Sequence, residues 1–154
     1  MQRIIAISLV LAVSSAQAAM PFGSWNKIRY RGGTVEAKVN PFDWNTTLTI
    51  QPDIITLLFN PKVMVHIKPS QVASISYGQE AYRRVADVVA LSALLSPLAL
   101  FGLLHVSKDH LVGIVYHTED GKLAAVLLEV HKSYYWKILQ TLKEVTGKPV
   151  DITP

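Results

Sequence analysis

The sequence predicts a mainly β protein with some α. About seven short strands form an antiparallel bent sheet, one helix closes the chain, and an apolar helical insert occupies residues 85–104. Three observations carry this reading. Short runs of alternating apolar and polar residues recur from Lys27 to Tyr77, cut about every eight to ten residues by Pro, Gly, Asn or Asp. Asp120-Gly121 stands between two apolar runs, where a tight hairpin turn needs positive φ. From Tyr135 to Val145 the apolar period lengthens to that of a helix.

Before the first strand, Arg3 precedes the apolar run Ile4–Val13 and the small-residue site Ala16-Gln17-Ala18. Basic, apolar and small residues in that order form a signal peptide, expected over residues 1–18, and the run is too short to span a bilayer. The expected location is therefore periplasmic or extracellular. The chain of 154 residues then leaves one domain, expected over residues 25–147, with 148–154 as a C-terminal tail. Cysteine is absent, so neither a disulfide framework nor a cysteine-linked lipid is available despite the oxidising route. An ordinary core must hold the domain together, and a chain of this length can build one. The net charge of +4 falls to +3 without Arg3, a mild excess that a solvated surface explains better than nucleic acid does.

Lys27, Arg29 and Arg31 share one face of the first strand by period two, and Gly32-Gly33 reads as a turn, with Thr34–Val39 a second extended piece or the rest of a bent strand. Asn40–Asn45 is a loop. In Thr46–Gln51, Leu48 and Ile50 face inward; Pro52-Asp53 turns the chain into Ile54–Phe59, and Asn60-Pro61-Lys62 turns it again. Val63, Val65 and Ile67 then share a face, leaving Met64, His66 and Lys68 outside. After Pro69-Ser70, Val72–Tyr77 makes a short strand ending at Gly78. Leu111–Thr118 and Leu123–Val130 form the hairpin around Asp120-Gly121. Leu123–Leu128 is apolar on both faces, so each side of that strand needs a cover. One cover is the closing helix, expected over Ser133–Thr146 with Ser133 as N-cap, Lys143 near its C-terminus, and Gly147 and Pro149 stopping it.

This order of strands and one closing helix resembles the pleckstrin-homology-like fold. Lys68–Ile75 is similar to the strand entry of PH/GRAM-like modules. Ser76–Glu80 with Arg83-Arg84, followed by Pro97–Gly102, resembles an exported bacterial family of that type. The resemblance covers roughly residues 27–146 and implies a PH-like barrel or bent sheet. Members elsewhere bind anionic lipid headgroups or peptides. The basic set of the phosphoinositide-binding members is not matched, because only Lys38 follows Lys27, Arg29 and Arg31, so that activity is not carried over.

Val85–Leu104 is the segment this fold does not require. Its length suits a span, but a single crossing would divide one sheet between two compartments and leave unpaired strand edges. Pro97 breaks a helix there, leaving Ala86–Leu95 as a short helix and Leu98–Leu104 as a second apolar piece. Ten helical residues reach only ~15 Å, about half of a bilayer core. Three readings stand: a wedge into one leaflet, a buried helix or homodimer seam, and a single span. The contact residues for a membrane lipid surface or a protein partner are Arg83, Arg84, Leu94, Leu95, Leu98, Leu100, Phe101, Leu103, Leu104 and Lys108. Asp87 has Arg83 and Arg84 within helical reach as partners.

No constellation for catalysis emerges. His105 and His110 are spaced for neither a helix face nor a strand face, and His66, His117 and His131 are scattered, so neither a metal site nor a cofactor is expected. Ser74 and Ser76 lack a nucleophile elbow, and no phosphate-binding glycine loop occurs. The expected function is a non-enzymatic exported docking module; the alternative is a self-associating structural protein.

Overall fold

The computed structural model describes residues 23–92 and 110–152. Its elements are β1 (Gly23–Gly33), β2 (Thr46–Ile50), β3 (Ile55–Phe59), β4 (Val63–Ile67), β5 (Val72–Tyr77), α1 (Gln79–Leu91), β6 (His110–His117), β7 (Leu123–Val130), α2 (Tyr135–Thr146) and β8 (Val150–Ile152). The strands form one sheet in the order β4-β3-β2-β1-β7-β6-β5-β8. Every neighbouring pair is antiparallel except β5 and β8, which run parallel.

Period-two patterning places the side chains. Thr46, Leu48 and Ile50 on β2 and Ile55, Leu57 and Phe59 on β3 are buried, with half-buried residues between them. On β4, Met64 and His66 point outward and Ile67 is buried, as the alternation requires. These inner faces meet those of β1, β5, β6 and β7 in one cluster, which α2 closes with Ile138, Leu139 and Leu142. Each such aliphatic side chain contributes about 1.5–3 kcal/mol when fully buried.

β6 and β7 are buried along nearly their whole length on both faces. The second face is covered by α1. Ala81, Val85, Val88 and Val89 recur at helical spacing and pack on Leu111, Val115, Ala125 and Leu127. Of the two covers that an all-apolar strand demands, α1 supplies the outer one, and the inner one is the cluster of facing strands that α2 closes.

Several boundaries differ from the sequence reading. Gly32-Gly33 is not a turn: β1 runs on through both residues to pair with Leu127 and Val126, after a bulge beyond Tyr30. Gly33 sits at φ 149°, and a Cβ there would lie 2.2 Å from the carbonyl oxygen of Ala125, so glycine serves close strand approach. Thr34–Val39 is not a strand. It crosses as irregular chain tied by Thr34 N–H to Ala125 O at 2.9 Å, while Val35, Ala37 and Val39 still pack on the core. The helix expected at Ala86 begins at Gln79, because Gly78 at φ 70° turns β5 directly into it, and it ends at Leu91. Ser133 does not cap α2. Its N–H donates to His131 Nδ1 at 3.2 Å, Tyr134 takes the cap position, and Gly147 ends the helix in the left-handed conformation. Residues 150–152, expected as tail, add β8 beside β5.

Gly113 on β6 is where α1 comes closest. A Cβ there would stand 2.7 Å from Ser76 Oγ and 3.1 Å from both the Cα and the carbonyl oxygen of Ala81. Gly113→Ala should therefore lower stability by about 1–3 kcal/mol, read as a drop in the urea midpoint. An unchanged midpoint would mean that α1 is not seated on this strand.

Candidate functional site

The apolar segment enters the described structure as the second half of α1. Its first turns are core, since Val85, Val88 and Val89 are buried against the sheet, whereas Leu91 is 82% exposed where the helix stops. Asp87 is exposed. Of the expected contact residues, Arg83 and Arg84 lie on α1; Leu94, Leu95, Leu98, Leu100, Phe101, Leu103, Leu104 and Lys108 lie outside the described residues, as does His105.

Both arginines are organised by Glu80, a carboxylate only 4% exposed in the first turn of α1, where negative charge suits the helix dipole. Arg83 donates to it through Nε at 3.1 Å and through Nη2 at 2.7 and 2.8 Å. Arg84 Nε donates at 2.8 Å. The hydrogen bonds and charge of Glu80 raise the Arg83 pKa, with a smaller contribution from Asp87. Asp87 is thus a secondary neighbour of Arg83, and Glu80 is the partner. Arg84 reaches further, placing Nη1 2.9 Å from Asp151 Oδ2 and tying α1 to β8.

A second charged group lies on the outer face beyond the cover of α1. Arg29 and Arg31 do share a face of β1, and both turn to Glu129 on β7. Arg29 Nη1 donates to Oε1 at 2.7 Å, and Arg31 Nε lies 3.4 Å from Oε2. Arg31 is 6% exposed and Glu129 5%, so this is a buried pair rather than a solvated stripe. The loop after β1 folds over it: Arg31 Nη1 donates to Pro41 O at 3.0 Å, and the Trp44 ring lies 3.8 Å from the Arg29 guanidinium carbon.

A third group is aromatic. Tyr77 Oη is hydrogen bonded to His110 Nδ1 at 2.6 Å, and the Tyr135 ring stacks on the His110 ring with centroids 4.1 Å apart. The stack joins the end of β5, the start of β6 and the start of α2. Burial, then the neighbouring Tyr135, raises the Tyr77 pKa; burial also raises those of Tyr30 and Tyr116. Among the described residues no three His, Cys, Asp or Glu side chains converge as metal ligands. His66 and His117 are exposed and far apart in the sheet.

Sequence reasoning named the two arginines but missed their partner. Glu80 stands three and four residues before them, a spacing that was there to be used. The Arg29–Glu129 pair, separated by 100 residues, had no local signal.

No family model matches the chain, and no curated protein matches it. Among solved structures it is similar to one described as "Structure of the Spt16D Pob3N heterodimer", with a TM-score of 0.50 and 8% identity. The match covers 85% of this chain and 53% of that one, so the chain spans about half the length of its structural neighbour. At that identity the likeness concerns the fold alone. It accords with an open, bent, mainly β sheet with helices, consistent with a pleckstrin-homology-like fold.

Two measurements check the site. Glu129→Ala leaves Arg31 buried without its counter-charge and should cost about 3–5 kcal/mol in chemical denaturation; a loss typical of a surface pair would refute its burial. The raised tyrosine pKa values mean that the unfolded chain releases those protons first. Stability is then fully present below the ordinary tyrosine value of 10.0 and falls as pH rises above it. In a phenolate absorbance titration, part of the tyrosine signal should appear late and together with unfolding.

Proposed function

We propose that the protein is a non-enzymatic, exported docking module of PH-like type, which seats on an anionic membrane surface through the apolar segment 85–104. The observation that carries this is Leu91. The outer face of β6 and β7 is already covered by Ala81, Val85, Val88 and Val89, yet the apolar sequence runs on past an exposed leucine to Leu104. Apolar sequence thus continues beyond the part of α1 that seals β6 and β7.

Topology argues against a single crossing. The strands that flank the segment, β5 and β6, pair directly from Val72↔Tyr116 to Tyr77↔Val112, and β6 pairs with β7 throughout. A crossing between Ser92 and His110 would tear β6 from β5 and leave polar edges open. Among the described residues no helix is long and apolar enough to cross a membrane. A docking segment that leaves and returns on one side keeps the sheet intact. Arg83 stands largely exposed on the same helix, where its guanidinium can face an anionic surface. The signal peptide expected at 1–18 supports export, and the resemblance of Ser76–Glu80 and Pro97–Gly102 supports a place among exported bacterial PH/GRAM-like proteins.

The mature chain should co-sediment with vesicles rich in phosphatidylglycerol and less with neutral ones. Replacing Leu100, Phe101 and Leu103 together by serine should abolish sedimentation. Unchanged sedimentation of that variant would sink the reading. A detergent-free dimer that aggregates after the same changes would replace it with the self-association reading, in which the segment forms a seam between copies.

A further inference from the structure

Residues 150–152 fill a place beside β5 that their neighbours shape. β8 is three residues long, lies at the edge of the sheet, and makes the only parallel pairing among the described residues: Ile75↔Val150, Ser76↔Asp151, Tyr77↔Ile152. Parallel pairing is the weaker kind, and three residues supply little of it. Alternation sends the side chains to different receivers. Val150 packs on the inner core. Asp151 turns to the outer face, where Arg84 Nη1 meets it at 2.9 Å. Ile152 is 58% exposed and shares a groove of about 630 Å³ with Trp136, Leu139 and Lys143 of α2.

The cation of this place is held by the domain itself and not by β8. Arg84 Nε is bound to Glu80, which is nearly fully buried, so the guanidinium is aimed at the β5 edge whether or not an acid lies there. The tail is loosely held by contrast. It follows the left-handed Gly147 and Pro149, and its ion pair joins side chains each more than a third exposed, a kind that contributes little.

We propose that the β5 edge is an acceptor for an extended segment of a partner protein with an apolar–acidic–apolar pattern, which Val150-Asp151-Ile152 fills in cis until displaced. Backbone pairing with β5 supplies affinity; Arg84 and the α2 groove select the side chains. The proposal draws on β5, α1 and α2 and stands independently of membrane docking.

The test uses the full mature chain and a fluorescent synthetic peptide of residues 148–154 as probe. In the wild-type protein the tethered tail competes at high effective concentration. Releasing it by Asp151→Lys, or independently by Val150→Gly, should tighten peptide binding by about tenfold or more in fluorescence anisotropy. A peptide carrying lysine at the acidic position should not bind either variant. Circular dichroism checks that both remain folded; two release routes guard against the loss of one. Equal peptide affinity in the wild type and the folded variants, or equal affinity for both peptides, would overturn the proposal. So would light scattering that shows dimers formed by tail exchange, which would assign the edge to a second copy.

Discussion

The structure depends on one constraint, the burial of the β6–β7 hairpin on both faces. Val112, Ile114, Val126 and Leu128 point to one side, and Leu111, Val115, Ala125 and Leu127 to the other. A strand exposed on either side would leave a row of aliphatic side chains in water, so two helices are needed where many antiparallel sheets need one. α2 is placed by the chain end. α1 has to be supplied from between β5 and β6, and Gly113 with Ala81 lets it approach the strand closely. The first half of the apolar segment is therefore architecture before it is anything else.

Charge is arranged around the limits of that cover. On the outer face of β7 the apolar residues stop at Leu127 and the next outward position is Glu129, opposite Arg29. In the first turn of α1, Glu80 gathers Arg83 and Arg84. Each carboxylate is buried and meets two guanidinium groups, which offsets the cost of taking it out of water. Arg84 then links the helix to β8 through Asp151, so the loosest strand of the sheet is read by the same network that anchors α1.

The two functional proposals use different parts of the molecule for a physical reason. Docking on a surface draws on apolar residues in excess of what the sheet can bury. Accepting a strand draws on an edge whose present occupant is short, parallel and lightly held. A PH-like sheet offers both opportunities, since it is an open sheet with edges, and the helices cover its faces and not its ends.

Local pattern was enough for the strands β2 to β7, for the inward residues of β2 and β4, for the Asp120-Gly121 turn and for α2 beyond its first turn. Alternation and helical spacing are direct records of which face is buried. The same pattern required a second cover for Leu123–Leu128 but did not say that α1 provides it, because an apolar run of that length fits a core helix as well as a bilayer. Gly32-Gly33 looked like a turn since glycine marks positive φ and close approach alike; only the backbone of Ala125 across the sheet distinguishes them. The Arg29–Glu129 pair joins residues 100 positions apart, and the β5–β8 edge joins residues about 75 positions apart. Such contacts exist only once the sheet order is set, because a side chain's sequence neighbours do not encode which distant charge or strand edge will face it.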